Sequence, residues 1–122
     1  MGGTVLVVDD SAAIRGLLGV ALRQAGYAVA EAGDGRAALE RIVAGGVDLV
    51  VSDCIMPVLD GLGLAREIRS RPALARLPII MLTTECSAER IQEARAIGVQ
   101  AWIVKPFQPQ QLVEAVQRFC SA

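Results

Sequence analysis

Histidine is missing from this sequence altogether, and the three cysteines, Cys54, Cys86 and Cys120, are odd in number and nowhere at CxxC spacing. Without imidazoles or paired thiols, a zinc site or a disulfide framework has little to build on. Reduced thiols suit a cytoplasmic protein. An excess of either charge is lacking too: 12 Lys and Arg are dispersed among 13 Asp and Glu, for a net charge of −1. No basic stripe therefore exists to follow a nucleic-acid backbone or an anionic membrane. Met1-Gly2-Gly3-Thr4 leads straight into an apolar run with no charged leader and no long hydrophobic segment, so neither a signal peptide nor a membrane-spanning helix is expected. Leu6 stands where N-myristoylation wants Ser or Thr. Internal repeats, linkers and low-complexity tracts are also absent.

What is present is a globular balance: 53% hydrophobic and 20% charged residues in 122, enough for one domain with a real core. The chain alternates two patterns. Short branched apolar runs at Val5 to Val8, Tyr27 to Glu31, Asp48 to Ser52, Ile79 to Leu82 and Ala101 to Val104 read as strands, several apolar throughout as in a parallel sheet buried on both faces. Between them lie helical stripes. Ile14, Leu17, Leu18, Ala21, Leu22 and Ala25 follow the N-cap Ser11 and stop at Gly26. Ala38, Leu39, Ile42 and Val43 follow Asp34; Leu64, Ala65 and Ile68 precede Arg71-Pro72; Ile91, Ala94 and Ile97 run from Ser87 to Gly98; and Leu112, Ala115, Val116 and Phe119 follow Pro109. Five strands alternating with five helices predict an α/β fold, a parallel sheet with helices on both faces and right-handed crossovers.

In such a sheet every C-terminal strand end lies along one rim. Asp9-Asp10, Asp53, Thr83 and Lys105 each follow a strand and so converge although far apart in sequence. Singly they have ordinary structural explanations: a helix cap, a turn, a β-former, a solvated charge. Together they make a reactive set. Clustered carboxylates repel, and an oxygen-only set favours a hard cation, Mg²⁺ or Mn²⁺. A carboxylate can attack a phosphoryl group, whose equatorial oxygens the metal, the Lys105 ammonium and the Thr83 hydroxyl can then satisfy.

Asp9-Asp10, Asp53 with Met56-Pro57 and Asp60-Gly61 behind it, Thr83, and Lys105-Pro106-Phe107 resemble the receiver domain of two-component response regulators over essentially the whole chain. That resemblance implies a flavodoxin-like, doubly wound five-stranded sheet in order 2-1-3-4-5, one receiver domain spanning 1–122. It implies that Asp53 accepts a phosphoryl group from a phosphohistidine on a sensor histidine kinase. Asp10, Asp53 and the Ile55 carbonyl are implied as direct Mg²⁺ ligands, with Asp9 acting mainly through water. Thr83 is implied as the switch hydroxyl, Lys105 as the phosphate-binding cation on a cis bond to Pro106, and Trp102 as the switch aromatic, in place of the usual Tyr or Phe. Inward rotation of that ring alters the face of the fourth helix, fifth strand and fifth helix, where a downstream protein binds.

Ile55 and Glu85, each two residues past a site residue, occupy positions that in the family flank the hydrolytic water. Ile55 cannot orient one, so phosphate loss is expected to depend on Glu85 and any partner phosphatase. Cys54 and Cys86 are expected to fill small apolar spaces. The chain ends at Ala122, directly after the last helix, which predicts a stand-alone receiver without an output domain, monomeric and signalling through another protein. Chemotaxis control or a phosphorelay step fits that expectation. A signalling switch that catalyses only its own phosphorylation and dephosphorylation is expected, rather than an enzyme. Aspartate-nucleophile phosphatases of the haloacid dehalogenase type also use a strand-end Asp and Mg²⁺, but need a second acid two residues on, which Asp53-Cys54-Ile55 and Asp9-Asp10-Ser11 lack.

Overall fold

Strands form where branched side chains can be covered on both sides. Val5 to Val8 and Leu49 to Val51 are almost wholly buried and make two of the three interior strands of a five-stranded sheet. The computed structural model describes residues 2–54, 58–84 and 87–120. Its strands are β1 (Thr4–Val8), β2 (Ala28–Ala32), β3 (Leu49–Asp53), β4 (Ile79–Thr83) and β5 (Ala101–Val104). All pair in parallel, in the order β2-β1-β3-β4-β5, with Val5 opposite Leu49, Val50 opposite Ile79 and Ile80 opposite Ala101. The helices are α1 (Ala12–Gln24), α2 (Gly35–Val43), α3 (Gly61–Arg69), α4 (Ala88–Ile97) and α5 (Pro109–Phe119), with a 3-10 turn over Pro72–Leu74 that the sequence pattern does not reveal.

Alternation along the strands divides the core in two. Leu6, Val50, Ile79 and Met81 face α2, α3 and α4, while Val7, Val51, Ile80 and Leu82 face α1 and α5. The caps are those that the sequence predicts: the Ser11, Asp34 and Ser87 side chains each accept a backbone N–H three residues on. Asp60 does the same for α3, and Gly98 closes α4 at φ 97°, a left-handed conformation that suits glycine.

Two expected core residues lie outside it. Leu17 is 61% exposed and Val43 54% exposed. Each sits about 100° around its helix from the residue that is buried, Leu18 or Ile42, and one sheet face covers only part of a helix's apolar arc. β2 and β3 are displaced by one residue from the predicted runs. Tyr27 precedes β2 because its buried ring and a 2.6 Å hydrogen bond from its hydroxyl to the Cys120 carbonyl tie it to the end of α5. Asp48 precedes β3 because its carboxylate accepts the Thr4 N–H at 2.7 Å. Among the described residues no helix is long and apolar enough to cross a membrane.

Candidate functional site

Four strand ends build the site. β1 leads into Asp9, whose carboxyl group is almost wholly enclosed: Oδ1 accepts the Ser11 N–H at 2.9 Å, and its own N–H donates to the Ala32 carbonyl of β2 at 3.2 Å. Asp10, the next residue, is exposed. β3 ends on the half-buried Asp53. Beside it, β4 ends on the buried Thr83, one residue past the partner of Asp53, and Thr83 accepts the Lys105 N–H at 2.8 Å. That bond brings Lys105, just beyond β5, back over the rim. Its ammonium donates to Asp53 Oδ2 at 3.1 Å and to Asp9 Oδ2 at 3.5 Å. The Lys105-Pro106 bond is cis, as the resemblance implies.

One oxygen each of Asp9, Asp10 and Asp53 lies within 4.8 Å of the others. Burial pushes the Asp9 carboxyl above its ordinary range and the nearby Asp53 charge adds to this, against the Ser11 N–H and Lys105, which favour its ionised form. Burial works to lower the Lys105 ammonium, but the contacts with Asp53 and Asp9 outweigh it and hold the group above its ordinary value. The rim thus carries more negative charge than its one ammonium neutralises.

The donor set fits a hard divalent cation. Oxygens bound to octahedral Mg²⁺ at about 2.1 Å stand about 3 Å apart when adjacent and about 4 Å when opposite, so three carboxylate oxygens within 4.8 Å need to close by less than about 2 Å. Asp53 and the ammonium are also disposed for phosphoryl chemistry, one as an oxygen nucleophile and the other as a fixed positive charge 3.1 Å away.

Ile55, Met56-Pro57, Glu85 and Cys86 lie outside the described residues. Cys54 is buried in the core beneath α3, the space-filling place expected of it. Trp102 is half-buried on β5, opposite Met81, and its ring separates a cleft of about 520 Å³ against α5 from one of about 320 Å³ against α4. Its indole Nε1–H is buried with no partner among the described residues.

Two contributors escape sequence reasoning. Gly61, which reads as a simple break, donates its N–H to the Cys54 carbonyl at 2.8 Å, and a Cβ there would collide with the Asp53 carbonyl oxygen. Glycine is what lets α3 close against the end of β3. Arg15 donates from Nη1 to the Asp9 carbonyl at 2.6 Å and from Nε to Glu31 Oε1 at 3.1 Å. The available signal is a cation near the start of a helix, where the macrodipole disfavours one.

Residues 5–117 match the family described as the response regulator receiver domain. The chain is 37% identical over 115 residues to the chemotaxis protein CheY of Pseudomonas aeruginosa, with 93% of each chain covered. In three dimensions it is similar to the chemotaxis protein CheY4 of Vibrio cholerae, at TM-score 0.91 and 41% identity, over 98% of this chain and 99% of that one. It is also similar to the receiver domain of the Pseudomonas aeruginosa sensor histidine kinase PA1611, described with a magnesium ion coordinated in its active-site cleft, at TM-score 0.87 and 31% identity over 98% of both chains.

Proposed function

The chain belongs to the response regulator receiver domain family, and on that premise we propose that it is a phosphoacceptor switch of the chemotaxis-regulator kind, with Asp53 as the acceptor. The observation that carries this reading is the Lys105 ammonium held against Asp53 and Asp9 at the rim of the sheet. A carboxylate oxygen of Asp53 attacks the phosphorus of a sensor-kinase phosphohistidine. The P–N bond breaks and its electron pair returns to the imidazole, leaving an acyl phosphate on Asp53. Lys105 meets one equatorial oxygen, and the Thr83 hydroxyl, at the adjacent strand end, donates to another. Asp10, Asp53 and the backbone carbonyl of Ile55, a residue outside the described ones, would hold Mg²⁺, with Asp9 acting through water. Mn²⁺ suits the same oxygens. A metal held there would supply charge neutralisation of the phosphoryl group beyond that of the Lys105 ammonium.

Movement of Thr83 toward the phosphoryl group frees space on the Trp102 side. Supporting this part of the reading is the indole N–H, buried without an acceptor among the described residues, an arrangement that costs about 1–3 kcal/mol and is relieved if the ring turns to a partnered position. The output is a changed surface of α4, β5 and α5 offered to a downstream protein. Dispersed charge supports partner proteins rather than nucleic acid. In this reading the switch works as a cytoplasmic monomer that catalyses only its own phosphorylation and dephosphorylation. A phosphorelay step uses the same chemistry.

Incubation with Mg²⁺ and acetyl phosphate, followed by intact mass, tests the proposal. Wild type gains one phosphoryl group and Asp53→Asn gains none, and Trp102 fluorescence changes only in wild type. Equal labelling of both proteins would place the acceptor elsewhere.

A further inference from the structure

Asp10 is the exposed member of the carboxylate trio, and its side chain makes no hydrogen bond among the described residues. Its position is therefore set by its backbone, and the peptide that precedes it is the one whose carbonyl belongs to Asp9. That carbonyl accepts the Arg15 guanidinium at 2.6 Å, while the same guanidinium is held by Glu31 at 3.1 Å. The Asp9 N–H is fixed by the neighbouring Ala32 carbonyl at 3.2 Å. Both polar groups of the Asp9 backbone are thus tied to the end of β2, one directly and one through Arg15. Arg15 itself sits on the first turns of α1, where the helix dipole repels a cation, so the two acceptors hold it against an unfavourable field.

We infer that Arg15, oriented by Glu31, is a positioning residue for the divalent-cation site, setting the plane of the Asp9–Asp10 peptide so that both carboxylates address one ion. The inference rests on the cation-binding reading of the Asp9, Asp10 and Asp53 trio. It goes further, in giving a residue that touches neither metal nor phosphoryl group a share in the geometry of the ligands. Mg²⁺ tolerates little departure from octahedral geometry, whereas Ca²⁺ accepts looser arrangements. Loss of the clamp accordingly weakens Mg²⁺ more than Ca²⁺. Charge alone predicts the opposite: removing a cation beside an acidic site tightens any divalent ion. The sign of the change separates positioning from electrostatics.

Titration calorimetry with MgCl₂ and with CaCl₂ on the full chain provides the test, using wild type, Arg15→Met, Arg15→Lys, Glu31→Gln and Asp10→Asn, with melting of each in EDTA as a control for folding. Arg15→Met is expected to bind Mg²⁺ about tenfold more weakly, the scale at which groups supporting metal ligands act. Its Ca²⁺ affinity should fall less. Arg15→Lys should remain weak because one ammonium cannot fork between the Asp9 carbonyl and Glu31. Glu31→Gln should lose several-fold in Mg²⁺ affinity and less in Ca²⁺ affinity; removing an anion by charge alone weakens both ions alike, so that difference keeps the test decisive if Arg15→Met melts early. Mg²⁺ affinity in Arg15→Met and Glu31→Gln equal to or tighter than wild type, with Asp10→Asn weak, overturns the inference and leaves the cation site standing. No Mg²⁺ binding by wild type overturns both.

Discussion

Replacing Lys105 with Met removes the one ammonium that touches Asp53 and Asp9 while keeping most of the side chain's volume. With an effective dielectric of about 20, contacts at 3.1 and 3.5 Å are each worth about 5 kcal/mol of gross Coulomb attraction. Most of that is offset by the cost of taking the charges out of water. Loss of one partner from a buried pair costs about 3–5 kcal/mol, and since the Lys105 side chain is 20% exposed the expected loss is nearer 2 kcal/mol. With about 2.1 cal/mol/K of unfolding entropy per residue over 122 residues, this lowers Tm by about 8 °C. The folded-state Lys105 titrates above its ordinary 10.5, so its stabilisation is complete below that pH and fades as pH rises through the folded value. The gap between wild type and Lys105→Met should therefore hold from pH 7 to 9 and narrow in stronger alkali. Thermal melts in EDTA, repeated with saturating Mg²⁺, make the assay. Mg²⁺ stabilises the variant more than wild type, because the ion meets an acidic rim with no ammonium in competition. An unchanged or higher Tm for Lys105→Met in EDTA at pH 7 would refute the claim that the trio depends on this cation.

Asp9→Asn should raise the Tm in EDTA at pH 7 by a few degrees. Burial lifts the folded Asp9 above its ordinary 3.8, so its favourable contribution exists at low pH and is lost as pH rises through the folded value, leaving a cost at neutrality that Asn removes. The advantage should vanish below about pH 4, and a lower Tm at pH 7 would contradict the burial argument. Gly61→Ala drives a methyl group into the Asp53 carbonyl and should cost about 2 kcal/mol or more in urea unfolding, with slower labelling by acetyl phosphate. Gly98→Ala places a Cβ at φ 97° and 3.0 Å from Arg69 Nε, for a loss of about 1–2 kcal/mol read from the urea midpoint, with labelling of Asp53 little changed because the α4 cap lies at the opposite end of the sheet.

Local patterns carried a large share of this structure. Continuous branched runs specify strands buried on both faces, and Ser11, Asp34 and Ser87 announce helix starts because only a short polar side chain can satisfy the first free N–H groups. The strand order and the rim that gathers Asp9, Asp10, Asp53, Thr83 and Lys105 follow from family resemblance and from parallel topology. Periodicity misjudged Leu17 and Val43, because it reports which arc of a helix is apolar and not how much of that arc a neighbour covers.

The amino-acid sequence by itself determined the alternation of elements, their caps, and which residues reach the C-terminal rim, since each depends on neighbours only a few positions away. Tertiary structure alone decided that α1 and α5 share one face of the sheet, that the Lys105 ammonium settles between Asp53 and Asp9, and that Arg15 reaches the Asp9 carbonyl from α1 while Glu31 holds it from β2. Those outcomes depend on distances between segments far apart along the chain, and such distances exist only once the sheet has brought the segments together.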